Sequence, residues 1–125
     1  MNEKNWKELS IFAKTSVSYE LCFRERSEGN AIGNTLDITD WTIYFMVKEK
    51  LEDVDTSAKI NKKITIHTDP TLGKTLIELT PTDTNLTQGS YYYEISYKDN
   101  ETTPNEKVVI MGRFKVEESV IDSRI

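Results

Sequence analysis

A chain of 125 residues, 37% hydrophobic and 30% charged, has the length of one domain and can bury about two-thirds of its unfolded surface around a single core. Its net charge of -5 comes from 21 acids against 16 bases, with lysines scattered among acids instead of forming a stripe. That balance repels phosphate backbones and excludes nucleic acid as a partner class. The single cysteine, Cys22, excludes an internal disulfide, fits a reducing compartment and reads as a small side chain on a strand face.

Residues 1–8 are polar apart from Trp6 and read as an N-terminal arm, with Trp6 either a docking residue or a cover for the edge of its own core. This start lacks the apolar stretch of a signal peptide, and no later run approaches the roughly 18 apolar residues that span a bilayer, so no membrane association is expected. Residues 9–117 form the expected β domain. Leu9, Ile11 and Ala13 alternate with polar residues, and so do Val17, Tyr19, Leu21 and Phe23, which predicts two strands or one bent strand with one buried face each. Gly29, Gly33 and their neighbouring asparagines then demand a turn. In the strand that follows, Trp41, Ile43, Phe45 and Val47 share one face and Thr42, Tyr44, Met46 and Lys48 the other.

The charged stretch from Glu49 to Asn61 is read as a crossing between two sheets, because its apolar residues do not repeat at helical spacing. A tight turn at Thr68–Gly73 has Pro70 to preset one dihedral angle and Gly73 to take a positive one; it is expected to join Ile64 and Ile66 to Leu76 and Leu79 as a hairpin. Next comes a strand with Tyr91, Tyr93, Ile95 and Tyr97 on one face and Tyr92, Glu94 and Ser96 on the other. In the last strand Val108, Ile110, Gly112, Phe114 and Val116 alternate with Val109, Met111, Arg113 and Lys115. Apolar residues on both faces at its start predict a central position or an outer face covered by a partner. Residues 118–125 form a short tail. Strands at roughly 8 to 12 residue spacing, each closed by Gly, Pro, Asn or Asp, predict an all-β antiparallel sandwich or partly open barrel.

Chemistry is sparse. The one histidine, His67, ends a strand with no partner cluster, so neither a nucleophile with its base nor a zinc site is expected. Asp37 with Asp40, Asp53 with Asp55, and Asp99 with Glu101 read as solvated turn acids, without the spacing of a calcium loop. No phosphate-binding glycine pattern follows Gly29 and Gly33. No catalytic residue, cofactor or metal is therefore expected. The tyrosines, by contrast, couple flat apolar faces to polar tips and could serve a sugar or a protein partner.

The elements Leu36-Asp-Ile-Thr-Asp-Trp-Thr-Ile-Tyr-Phe-Met-Val-Lys48, Asp69-Pro-Thr-Leu-Gly-Lys-Thr-Leu-Ile-Glu-Leu-Thr80, Leu86-Thr-Gln-Gly-Ser-Tyr-Tyr-Tyr-Glu-Ile95 and Gly112-Arg-Phe-Lys-Val116 span about two-thirds of the chain. In their order they resemble the immunoglobulin-like modules of structural proteins of tailed bacteriophages and prophages, especially the N-terminal domain of the baseplate upper protein family. The resemblance implies an immunoglobulin-like sandwich of about seven strands and a non-enzymatic virion structural or adaptor protein, made in the bacterial cytoplasm. Its expected partners are other virion proteins and further copies of itself. Members of that family continue into long stalks where this chain stops at Ile125, which implies a free-standing module or a small accessory protein. Candidate contacts on exposed strand faces are Trp6, Tyr44, Tyr92, Val109 and Met111. The alternative is a carbohydrate-binding sandwich using the surface tyrosines.

Overall fold

The computed structural model describes residues 6–25 and 33–121. Alternation of apolar and polar residues becomes seven strands: β1 (Leu9–Phe12), β2 (Val17–Cys22), β3 (Thr42–Lys48), β4 (Ile60–Ile64), β5 (Lys74–Leu79), β6 (Gly89–Lys98) and β7 (Glu106–Glu117). A five-stranded sheet of order β1-β7-β6-β3-β4 faces a two-stranded sheet, β2-β5. The result is an immunoglobulin-like sandwich. All pairings are antiparallel except β1 with β7, which run parallel from Leu9↔Phe114 to Phe12↔Glu117.

Between the sheets lies a core in which Ile38, Ile43, Phe45, Val47, Ile77 and Phe114 have no exposed surface. Phe45 meets the rings of Tyr19, Tyr93 and Phe114 at 6.0 to 6.2 Å, so four strands contribute aromatics to one cluster. At the far end Trp41 stacks on Tyr97 at 4.7 Å, with Phe23 edge-on to both. Trp41 sits half-buried just before β3, and its carbonyl is held by His67. Because a carbonyl only accepts, His67 Nε2 carries the proton and donates to Trp41 O at 2.8 Å; Nδ1 then accepts from the Thr75 hydroxyl at 2.9 Å. The histidine thus ties the start of β3 to β5.

Connections rest on specific local chemistry. Gly73 takes φ 73°, as its place after Pro70 predicts, and a Cβ there would fall 2.5 Å from the Phe23 carbonyl oxygen. The Tyr91 hydroxyl donates to the Thr87 carbonyl at 2.7 Å, pinning the approach to β6 in the manner of an immunoglobulin tyrosine corner. Thr84, wholly buried, donates to the Thr15 carbonyl (2.7 Å) and accepts from the Thr15 amide (2.9 Å), fastening the β1–β2 corner where Lys14 adopts φ 62°. Asp83 is paired with Lys62 at 2.8 Å and joins that same crossing to β4.

Two expected connections are corrected. The charged stretch after β3 does not cross between sheets: it closes a β3–β4 hairpin within one sheet, with a single 3-10 turn at Asp55–Ser57. Nor do Ile64 and Ile66 pair with Leu76 and Leu79. β4 lies beside β3, β5 lies beside β2, and Ile66 is 87% exposed in the crossing between the sheets. Local turn chemistry fixed the bend at Pro70 but carried no information about which sheet each arm would join. The glycine-rich turn falls largely on residues 26–32, outside the described residues, although Arg24 and Thr35 bridge its base.

Candidate functional site

The outward face of the five-stranded sheet carries the candidate site. Because β6 buries Tyr91, Tyr93 and Ile95, the pleat turns Tyr92, Glu94 and Ser96 outward. Register then sets neighbours beside them. Glu94 lies between Met46 of β3 and Met111 of β7, Ser96 between Tyr44 and Val108, and Tyr92 between Lys48 and Arg113. Tyr44, Met46, Tyr92 and Met111, together with Leu51 from the β3–β4 loop, line a groove of about 300 Å³. Glu94, Ser96 and Glu106 supply its polar lining.

Charges around the groove are partly committed. Lys48 Nζ lies 2.7 Å from Asp55 at one wall. The Arg113 guanidinium sits 4.5 Å above the Tyr92 ring and donates to Ser90 Oγ at 3.2 Å, which holds that ring in place by cation–π attraction. Lys115 of β7 and Glu8, just before β1, approach at 3.6 Å.

Three of the five candidate residues, Tyr44, Tyr92 and Met111, meet in this groove, and a fourth stands beside it. Trp6 bridges Met111 in the same parallel register as β1, so the end of the arm extends the β1 ladder and Trp6, 49% exposed, occupies the outer face. Val109 is the exception and is corrected here. A bulge between Ile95 and Ser96 in the β6–β7 register gives β7 one extra residue, so Ile95 pairs with Ile110 and Ser96 with Val108. Val109 consequently packs against the core, and Val108, 53% exposed, takes the outer position. Met46 was available from its alternation with Tyr44. Leu51 had no such signal, because it lies in an irregular charged loop.

The other residues with chemical potential are spent on structure. Asp37 accepts from the amide and hydroxyl of Thr39, and Asp99 from Asn105 and Glu101; in each case the side-chain hydrogen bond leads in holding the carboxyl below its ordinary range. Asp53 caps the Lys50 amide. Among the described residues no group of three or more His, Cys, Asp and Glu side chains gathers as a metal would need, and no helix is long and apolar enough to cross a membrane. Cys22 is exposed on β2. No protein-family model matches the chain, and no curated protein matches it significantly.

Proposed function

We propose that this chain is a non-enzymatic structural or adaptor module of a tailed-phage or prophage particle, docking to other virion proteins through the outer face of its five-stranded sheet. The observation that carries the docking part is the grouping of Trp6, Tyr44, Met46, Tyr92, Met111 and Arg113 on one solvent-facing surface. Aromatic, methionine and arginine side chains are those in which protein interfaces are enriched, and a specific interface buries on the order of 1,000 Å² or more around such anchors. The phage assignment is supported by the resemblance of residues 36–48, 69–80, 86–95 and 112–116 to baseplate upper proteins.

The test is direct. Particles purified after induction of a host carrying the gene should contain the chain at fixed stoichiometry by mass spectrometry, and a Met111→Asp variant should stay folded yet be lost from them. Particles free of the wild-type chain would end the proposal. The groove also favours a second reading, because Tyr44 and Tyr92 stand beside the hydrogen-bonding groups of Glu94, Ser96 and Glu106, the combination that grips a sugar ring. A glycan array with saturable binding abolished by Tyr44→Ala would select it; no response would remove it.

A further inference from the structure

We infer that the occupant of the outer face is a second copy of this chain, laid face to face and antiparallel about a two-fold axis that runs across the strands. The inference rests on the docking reading above and names its partner. Three features of the face support it.

The first is extent. Five strands about 4.8 Å apart and a seven-residue β3 rising about 3.3 Å per residue give a footprint of roughly 550 Å² on each copy. Two such footprints reach about 1,100 Å², near the lower bound for a specific protein pair even before the relief of the side chains is added.

The second is charge. On β7 the outer face carries an acid at one end, Glu106, and a base at the other, Arg113; they lie beside Lys98 and Tyr92 of β6. A two-fold axis midway between those two levels passes between Glu94 and Ser96. It brings each Arg113 opposite Glu106 of the second copy, so the same ion pair forms twice, as an isologous contact requires. The same operation sets Tyr92 opposite Lys98, Glu94 opposite Ser96 and Met111 opposite Val108. Each of these is a favourable or neutral pair.

The third is that two alternative arrangements are penalised. Moving the axis by one residue toward Tyr92, onto Glu94, would press that carboxylate against its own copy. Turning the axis to run along β6 would set Arg113 against Lys48, since these flank Tyr92 on β7 and β3. Like charges facing each other across an interface are unfavourable, so the face discriminates against both of these arrangements.

Sedimentation velocity of the full chain across a wide concentration range tests this through charge reversal. Wild type should reach twice its 14.4 kDa mass, with association weakening as salt rises. Arg113→Glu and Glu106→Arg should each weaken association at least about tenfold, and the double reversal should restore it. Circular dichroism checks that each variant is folded; should a reversal unfold the chain, Arg113→Gln and Glu106→Gln probe the same contact. A wild type that stays monomeric, a dimer indifferent to both single reversals, or a double reversal that stays monomeric while folded would each overturn the inference. Monomeric wild-type protein found in particles would overturn this pairing while leaving the docking reading intact. A chain absent from particles that nevertheless dimerises with charge-reversal rescue would do the opposite.

Discussion

Gly112 is a position where one added methyl group should have a large consequence. A Cβ built there would fall on the carbonyl oxygen of Lys7 and 2.7 Å from its carbon, closer than real contacts allow, and both obstacles are backbone. Gly112→Ala must therefore lift the N-terminal arm off β7. Two hydrogen bonds go with it: Lys7 N–H to the Met111 carbonyl (2.9 Å) and the Tyr93 hydroxyl to the Lys7 carbonyl (2.7 Å). At about 1 kcal/mol each, plus about 1 to 2 kcal/mol for a Tyr93 hydroxyl left unpaired where the residue is only 2% exposed, the loss is about 3 to 4 kcal/mol. For a domain of this size that lowers Tm by about 8 to 20 °C. The assay is thermal unfolding followed by circular dichroism, run in the full chain and in a chain lacking residues 1–7. Truncation alone should destabilise by a similar amount, and Gly112→Ala should then add less than about 1 kcal/mol, because the obstacle has been removed. Equal cost in both backgrounds, or a cost below about 0.5 kcal/mol in the full chain, would refute the close approach as the reason for glycine.

Other predictions concern the corners and the core. Thr84→Val removes both hydrogen bonds to Thr15 at nearly constant volume and should cost about 2 kcal/mol by urea denaturation; a change within 0.5 kcal/mol of wild type would show that the corner holds without them. Tyr91→Phe deletes only the hydroxyl that bonds Thr87, with an expected loss of about 1 kcal/mol and no change in far-ultraviolet dichroism. Burial first, and the neighbouring Tyr19 second, push the Tyr93 phenol from 10.0 up to about 12. The folded state therefore holds that proton more tightly than the unfolded chain. The stability tied to it is fully present below pH 10 and lost as pH rises from 10 to about 12. Tyr93→Phe should flatten the alkaline fall of Tm in that window, and an identical fall in both proteins would contradict the assignment.

Much of the sandwich can be read directly from alternation. The three tyrosines that face inward on β6, the one that faces outward, the shared outer face of Tyr44 and Met46, and the positive φ of Gly73 all follow from the two-residue pleat and from turn chemistry. These are local properties. What alternation cannot carry is partnership, since Ile64 and Leu76 look equally suited to each other whether or not their strands share a sheet. The site residues divide along the same line. Tyr44, Tyr92 and Met111 were legible because the chain keeps period two where each of them lies, whereas Val109 lies where an extra residue enters β7 and reverses the phase of everything before it. That bulge has no residue signature of its own. Leu51 joins the groove only through the course of an irregular loop, and Arg113 becomes notable only once register places it above Tyr92.

The parallel ladder between β1 and β7 has a consequence for how the chain is born. Leu9 finds its partner in Phe114, so β1 leaves the ribosome about a hundred residues ahead of the strand it pairs with. At about 5 to 20 residues per second, that interval is roughly 5 to 20 seconds. During it β1 has no strand to lie against, with Trp6 and Phe12, exposed even in the finished fold, close at hand. Translation speed between β5 and β7, and any chaperone that shelters nascent β1, should therefore govern the yield of soluble protein more strongly than changes in the β3–β4 hairpin, whose strands emerge within seconds of each other.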